Sequence, residues 1–466
     1  MKTYQDLIKN ADRPLEFTRE VIYDHQSSAE YREAVIADEY NRRRNRTIVE
    51  YQKLLYTMSG QAVPDNYSAN YKLCSNFFNR FVTQENQFLL GNGCTWENED
   101  TADKLGKDFD EQLQEAGEKA LVCAVSFGFW NLDHIDVFSL LEFAPIWDEE
   151  DGALKAGVRF WRIAPEKPLR ATLYELDGYT DFIWNRDKDG GEQGEVLNEK
   201  RPYKLKLKGT AADGMEIYDG ENYPTFPIVP LWANKYKQSE FVGMRENIDA
   251  YDLVKSGFAN DLDDASQIYW IVQNAGGMDD VDLAKFLERL KTVKAAVVDD
   301  GGARAESHTI DVPYAARTTL LSQLRNDLYE DSMALDTKNI ASGAVTATQI
   351  EAAYEDFNKK VDRYEYCVIK FVDGILALAG IDDNVTFTRG MIVNVNETVG
   401  VLLQCAQYLP ADYITTKILN LFGDGDQTED ILKQIDEENM EKMAMMQEMQ
   451  GMAAGGSEEP EEDEEE

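Results

Sequence analysis

The chain has 466 residues, 43% of them apolar, and a formal net charge of −40. That length accommodates several domains and that apolar content a substantial core, whereas so acidic a balance argues against wrapping nucleic acid, which relies on Lys and Arg. Five scattered cysteines without a C-x-x-C pair fit reduced thiols in a cytoplasmic setting, the N-terminus lacks a signal peptide's apolar core, and the longest apolar runs, near 120–130 and 368–378, are too short to span a bilayer.

Residues 1–25 read as an irregular arm. A helical pattern over 29–56 carries Arg42, Arg43, Arg44 and Arg46, either a solvated face or a contact for nucleic acid or an acidic partner. A helix over 69–90 puts Leu73, Phe77, Phe78, Phe81 and Val82 on one side and stops at Gly91-Asn-Gly93, where glycine supplies a left-handed cap. Another covers 103–129. From 138 to 223 the period shifts: 143–147, 157–163, 169–176, 180–184 and 203–207 alternate and are rich in aromatic and β-branched residues, with turn clusters between them. That pattern predicts an antiparallel meander.

Pro224, Pro227 and Pro230 lead into a helix over 241–273. Ile248, Tyr251, Val254, Phe258, Leu262, Ala265 and Ile268 form its apolar stripe, and Asp249, Asp252, Asn260, Asp261, Asp263 and Asp264 lie opposite. A short helix is expected at 281–290, then a hairpin of 293–299 and 304–312 around Gly301-Gly302. Pro313 opens a helix to 335. The loop 336–346, with Gly343, separates it from a long helix that starts at the capping box Thr348-Gln-Ile-Glu351. Over 348–378 that helix is roughly 45 Å long at ~1.5 Å per residue. Its apolar face is Ile350, Tyr354, Phe357, Val361, Tyr364, Val368, Phe371 and Ile375. Strand-like alternation returns at Val385, Phe387, Val393 and Val395. Helices follow at 399–408, 411–421 and 428–450, the last Met-rich, and an acidic tail closes the chain.

The chemical motifs are conspicuous by their absence. No G-x-x-x-x-G-K-[ST] loop cradles phosphates. His25, His134 and His308 lack metal-ligand spacing, and no G-x-S-x-G elbow marks a serine. Asp424-Gly-Asp begins like a calcium loop but lacks its sixth-position Gly and twelfth-position Glu. The expectation is no catalytic residue, no metal, no cofactor and no enzyme activity. Long helices in pairs, broken by a loop, suggest a mechanical or assembly role. A distant alternative is a hydrolase with an acidic cleft, because a catalytic carboxylate pair would be hidden among 87 acidic residues.

The layout resembles the portal proteins of tailed double-stranded DNA bacteriophages of the siphovirus type. Leu89-Leu-Gly-Asn-Gly93 resembles the end of that family's second helical segment, and Ala144-Pro-Ile-Trp-Asp-Glu-Glu-Asp-Gly152 with Ala156-Gly-Val-Arg-Phe-Trp161 its first wing hairpin. The most specific block is Phe226-Pro-Ile-Val-Pro-Leu231, Ser239-Glu-Phe241, Asn247-Ile-Asp-Ala-Tyr-Asp252 and Ser256 to Asp264. The likeness covers about 26–450, by order and spacing.

The resemblance implies a mainly helical α+β portal-type subunit: an arm at 1–25; a wing at 26–240, helical and then an antiparallel sheet from about 138; stem helices at 241–273 and 313–335; an α/β clip at 274–312; a tunnel loop at 336–346; a tunnel helix and return to the wing at 347–394; a helical crown at 395–450; and a disordered acidic tail at 451–466. It implies a ring, usually of twelve copies, forming the DNA conduit at one capsid vertex of the virion, assembled in the host bacterial cytoplasm. Implied partners are double-stranded DNA in the channel, the terminase large subunit, a head-completion adaptor, and the major capsid and scaffold proteins, with no membrane. The tunnel loop would offer Lys338, Asn339, Ser342, Gly343, Val345 and Thr346 to DNA. The clip would dock terminase and adaptor through Asp279, Asp280, Lys285, Arg289, Lys291, Arg304 and His308. Asp249, Asp252 and Asp263 would form an acidic face of the stem, on the channel or the exterior, where carboxylates repel phosphate. Another phage head–tail connector or capsid component is the nearer alternative.

Overall fold

Two short helices, α1 (Tyr4–Lys9) and α2 (Pro14–Gln26), open the chain where an irregular arm was expected. Thr3 and Asp6 close a capping box on α1, and Pro14 takes the first position of α2, where a missing N–H costs nothing. In this computed structural model the described residues are 2–56, 60–66, 68–98, 100–186, 191–210, 216–265, 269–273, 304–308, 313–338, 347–390, 395–422 and 428–454. They fall into two compact units, 1–336 with 356–390 and 337–355 with 391–466.

In the first unit, α3 (Ala29–Asn41) is capped by Ser28, whose Oγ accepts Tyr31 N at 3.1 Å. The single helix expected over 29–56 breaks at Arg43, which has a φ of 58°. A short α4 (Arg46–Glu50) and a strand pair, β1 (Leu54–Tyr56) with β2 (Ala62–Pro64), follow. The next helix, α5 (Phe77–Leu90), starts later than its apolar pattern predicts. Chain 71–76 is extended instead, for a reason given below. After β3 (Cys94–Trp96) and α6 (Asp100–Leu105), α7 (Phe109–Cys123) ends at Ala124, with a φ of 72°. The expected helix to 129 therefore turns into β4 (Val125–Asn131). Aromatic and β-branched residues suit a buried strand as well as a buried helix, and periodicity alone does not separate the two.

β4 is the centre of a three-stranded sheet with β5 (His134–Ser139) and, across the chain, β13 (Ile228–Trp232). A five-stranded antiparallel meander follows: β6 (Phe143–Trp147), β7 (Leu154–Trp161), β8 (Leu169–Glu175), β9 (Gly178–Arg186) and β10 (Glu192–Arg201). Four of these match the sequence pattern. The fifth is Glu192–Arg201; the 203–207 run instead belongs to a separate ribbon of β11 (Lys204–Thr210) with β12 (Glu216–Glu221). Leu7, Phe17, Val21 and Ile22 of the first two helices pack on Ile146, Val158, Phe160, Leu173 and Phe182, so the N-terminal residues cover one sheet face.

Two antiparallel helices follow, α8 (Arg245–Ala265) and α9 (Tyr314–Asp331), with β14 (Tyr269–Gln273) and β15 (Arg304–His308) between them. The long α10 (Ala347–Ala379) buries Phe357, Val361, Tyr364, Val368, Phe371 and Ile375, as its periodicity predicts, and Gly380 follows it with a left-handed φ of 72°. β16 (Val385–Phe387) pairs with β3. In the second unit, α11 (Val395–Cys405) packs on α12 (Ala411–Phe422), and α12 on α13 (Thr428–Ala454). Val395 is thus helical where strand-like alternation was expected.

Candidate functional site

The α8–α9 pair is tied at both ends. Asn247 Nδ2 donates to Asp331 Oδ2 at 3.1 Å at one end. At the other, Arg317 pairs with Asp261 and stands 5.9 Å from the centre of the Phe258 ring. Beyond that end, Tyr269 pairs with His308 and Gln273 with Arg304. This corrects the expectation of a helix to 273. Residues 269–273 are strand, since Tyr-Trp-Ile-Val is a β-forming run, and they pair with 304–308; the helix expected at 281–290 and the strand expected at 293–299 lie outside the described residues. The order of described elements is helix, strand, strand, helix, with the two helices in contact and the two strands paired.

α8 is held to the body by a polar ladder. Its fully buried positions are Ile248, Asp252, Ser256 and Asn260, four residues apart. Three of them accept backbone N–H groups from alternate residues of the extended segment: Ser75 to Asp252 Oδ1 at 2.9 Å, Leu73 to Ser256 Oγ at 3.0 Å, and Tyr71 to Asn260 Oδ1 at 2.6 Å. Four helical residues rise about 6 Å and two extended ones about 6.6 Å, so the repeats stay in step over these rungs. Residues 71–75 stay out of the helix because the N–H groups of Tyr71, Leu73 and Ser75 are satisfied here instead.

Asp252 also accepts from Asn45 Nδ2, and Asp249 from Tyr40 Oη and, at 2.7 Å, Thr47 Oγ1. Burial raises the Asp252 carboxyl above the usual range against the pull of these hydrogen bonds. Asp249 and Asp252 are therefore not on an open acidic face. They lie on the side of α8 that docks on the body, while Asp263 is exposed. The apolar stripe misled because α8 is buried on a second, polar side, whose donors come from residues almost two hundred positions earlier.

At the root of the pair, Lys360 of α10 reaches two carboxylates, Glu85 at 2.7 Å and Glu240 at 2.9 Å. Burial lifts Glu85 to about 7, opposed by Lys360 and aided by the nearby Glu240 charge. One turn on, Tyr364 Oη donates to Asn86 Oδ1 at 3.0 Å. After α9, Gln84 clasps Leu335 through its N–H at 3.2 Å and its carbonyl at 3.0 Å. Arg325 then holds Asp336 with two 2.8 Å bonds. None of these partners was anticipated. Only the four-residue spacing of Asp252, Ser256 and Asn260 is visible in sequence.

Residues 18–442 match the model of one protein family, described as phage portal protein, SPP1 Gp6-like. The chain belongs to that family. It is 27% identical over 269 residues to the portal protein of Clostridium phage phiCD119, covering 55% of this chain and 60% of that one. To the portal protein of Bacillus phage SPP1 it is 24% identical over 399 residues, covering 77% of this chain and 74% of that one. The chain thus spans under two thirds of the length of the first relative. Among solved structures it is similar to a chain of the virion of a native gene transfer agent particle, at 11% identity and a TM-score of 0.42, covering 73% of this chain and 89% of that one.

Most of the residues expected to form a wing, stem helices and a tunnel helix are among the described residues. Of the clip residues, Asp279, Asp280, Lys285, Arg289 and Lys291 lie outside them, and Arg304 and His308 stand at the two ends of β15. Of the residues expected in a tunnel loop, Lys338 is exposed and, with Thr337, helical where a loop was expected, and Asn339, Ser342, Gly343, Val345 and Thr346 lie outside the described residues. The structure brings Asp249 and Asp252 together on one docked side of α8, and leaves Asp263 apart from them.

Proposed function

We propose that copies of this chain assemble into a ring at one capsid vertex and form the channel through which double-stranded DNA passes. In this reading 241–273 and 313–335 are the stem, 274–312 the clip that docks the packaging terminase and then the head-completion adaptor, 336–346 the tunnel loop and 395–450 the crown. No catalytic step falls to this chain; the motor's chemistry belongs to a partner. The observation that carries the reading is the antiparallel helix pair α8–α9 with the paired strands β14 and β15 between them in sequence, followed later by a helix of 33 residues, in a member of the portal family. The ladder on α8 suits such a role, because a rod that transmits force must be fixed to its body along its length.

Negative-stain electron microscopy of the purified full-length chain tests this. Rings with a central hole are expected, and compact monomers at micromolar concentration would sink it.

A further inference from the structure

Lys360 is shared between two carboxylates in unequal surroundings. The Glu85 side chain on α5 is 2% exposed, and the Glu240 side chain is 18% exposed at the wall of a cleft of about 440 Å³. Glu85 faces Lys360 and Tyr364 of α10 and Glu240 of the segment that enters α8. Lys235, Asp331 and Arg363 line the same cleft. Burial works against the Lys360 charge, and its two carboxylates outweigh that effect, so the ammonium persists whichever way Glu85 titrates.

The Glu240 carboxylate has a second partner, and through it a turn. Its Oε1 accepts from Asn234 Nδ2 at 3.1 Å. The same amide builds the 234–238 turn: Nδ2 also donates to Gln238 O at 2.9 Å, and Oδ1 accepts Tyr236 N at 3.1 Å and Gln238 N at 3.4 Å. Within the turn Lys237 adopts a φ of 57°, a region unfavourable to a residue with a Cβ. The turn is thus strained and held shut by an amide that Glu240 orients. The backbone after it is pinned separately, Ser239 Oγ donating to Val122 O at 2.6 Å and Glu240 N to Leu121 O at 3.0 Å. The Glu240 side chain is therefore free to leave Lys360 without displacing the start of α8.

We propose that Glu85, Lys360 and Glu240 form a proton-operated latch on the 234–238 turn. With Glu85 protonated, Lys360 serves Glu240 alone and the turn is shut. With Glu85 ionised, two carboxylates compete for one ammonium away from water, where like charges repel most. The buried Glu85 stays with Lys360, Glu240 swings into the cleft, and the strained turn opens. Burial, opposed by Lys360 and aided by Glu240, brings Glu85 to about 7, so the latch works near neutral pH. Glu85 binds its proton more tightly with Glu240 beside it than with Glu240 withdrawn. Linkage then makes opening more favourable as pH rises.

Hydrogen exchange of the full-length chain, read by mass spectrometry at about pH 6 and about pH 8 with exchange times scaled to the chemical rate, tests this. The 234–238 turn should be open about fivefold more often at the higher pH, the change expected when opening weakens the proton affinity of Glu85 about tenfold. The 148–153 turn, whose Asp148 carboxyl is held far below this range by Lys155, should not change. Glu85→Gln should keep the 234–238 turn at its low-pH protection throughout, and Asn234→Ala should open it equally at both values. Equal opening of the wild-type turn at the two values, or more opening at the lower, overturns the proposal, as does a Glu85→Gln chain that keeps the wild-type pH dependence. A change that spreads equally to residues 368–378 of α10 also overturns it, because the opening is then that of the whole unit. If Glu85→Gln does not fold, the wild-type midpoint decides: near pH 7 supports the latch, and more than about one pH unit away overturns it.

Discussion

Ser75 and Asp252 are 177 residues apart in the chain and meet through a single 2.9 Å hydrogen bond, backbone N–H to carboxylate, at a site closed to solvent. That bond is one rung of the ladder that fixes α8 to the body. Asp252→Ala strands the Ser75 N–H and the Asn45 amide, and an unpaired buried donor costs about 1–3 kcal/mol. Urea unfolding should show a loss of roughly 2–3 kcal/mol for this variant. Asp252→Asn keeps an acceptor for Ser75 and should lose less. Equal losses for the two would show that the ladder contributes shape and not hydrogen bonding.

Glu85 makes the root of the α8–α9 pair sensitive to pH. The Glu85 carboxyl titrates near 7 in the folded chain against an ordinary 4.5, because it is buried beside Glu240. Its proton is therefore held more tightly folded than unfolded. The stability this contributes is complete below about pH 4.5 and is lost as pH rises to about 7. Glu85→Gln carries no titrating proton. The stability of wild type minus that of Glu85→Gln should accordingly fall between these pH values and level off above them. A difference that is flat or rises with pH contradicts the assignment.

Gly128 at the centre of β4 has a packing reason. A Cβ placed there would lie 2.5 Å from Phe371 Cζ and 3.1 Å from Ile135 Cγ2. The Phe371 ring belongs to α10 and is itself buried, so it has nowhere to move. Gly374 repeats the arrangement from the helix side, 2.8 Å from Val229 Cγ1 of β13. The long helix thus lies directly on the three-stranded sheet. Gly128→Ala should destabilise by about 1–3 kcal/mol, and adding Phe371→Leu should recover part of that loss in thermal unfolding. A neutral Gly128→Ala would show that helix and sheet are less closely packed than these distances imply.

The helices at 245–265, 314–331 and 347–379 were legible because each presents a long apolar repeat, and the meander because turn clusters punctuate it. The sequence misled wherever one apolar run serves two geometries. Residues 125–131 look like the end of α7, and 269–273 like the end of α8, yet both are strands whose partners are distant in sequence. The anchorage was not legible at all. Asp252 reads as a solvated carboxylate until Ser75 and Asn45 are placed beside it. Likewise Lys360, Glu85 and Glu240 come from three segments whose meeting no local pattern encodes.

The root of the loop after α9 offers the last test. Arg325 grips Asp336 with two parallel hydrogen bonds, and both side chains are largely shielded, at 21% and 10% exposure. A planar fork of this kind is stronger than a point-charge contact. It pins the chain just after α9, two residues before the exposed Lys338. Asp336→Asn removes the charge and one acceptor, so the backbone at the loop root should open more often. A partly shielded bidentate pair lost at ~1–1.5 kcal/mol corresponds to about a tenfold higher open population. Limited trypsin digestion should therefore cut after Lys338 about tenfold faster in Asp336→Asn than in wild type, with cleavage after exposed Lys235 unchanged as the internal control. Arg325→Lys keeps the charge but not the fork and should fall between the two. Identical cleavage rates at Lys338 in all three chains would mean that the Arg325–Asp336 pair does not hold this segment closed.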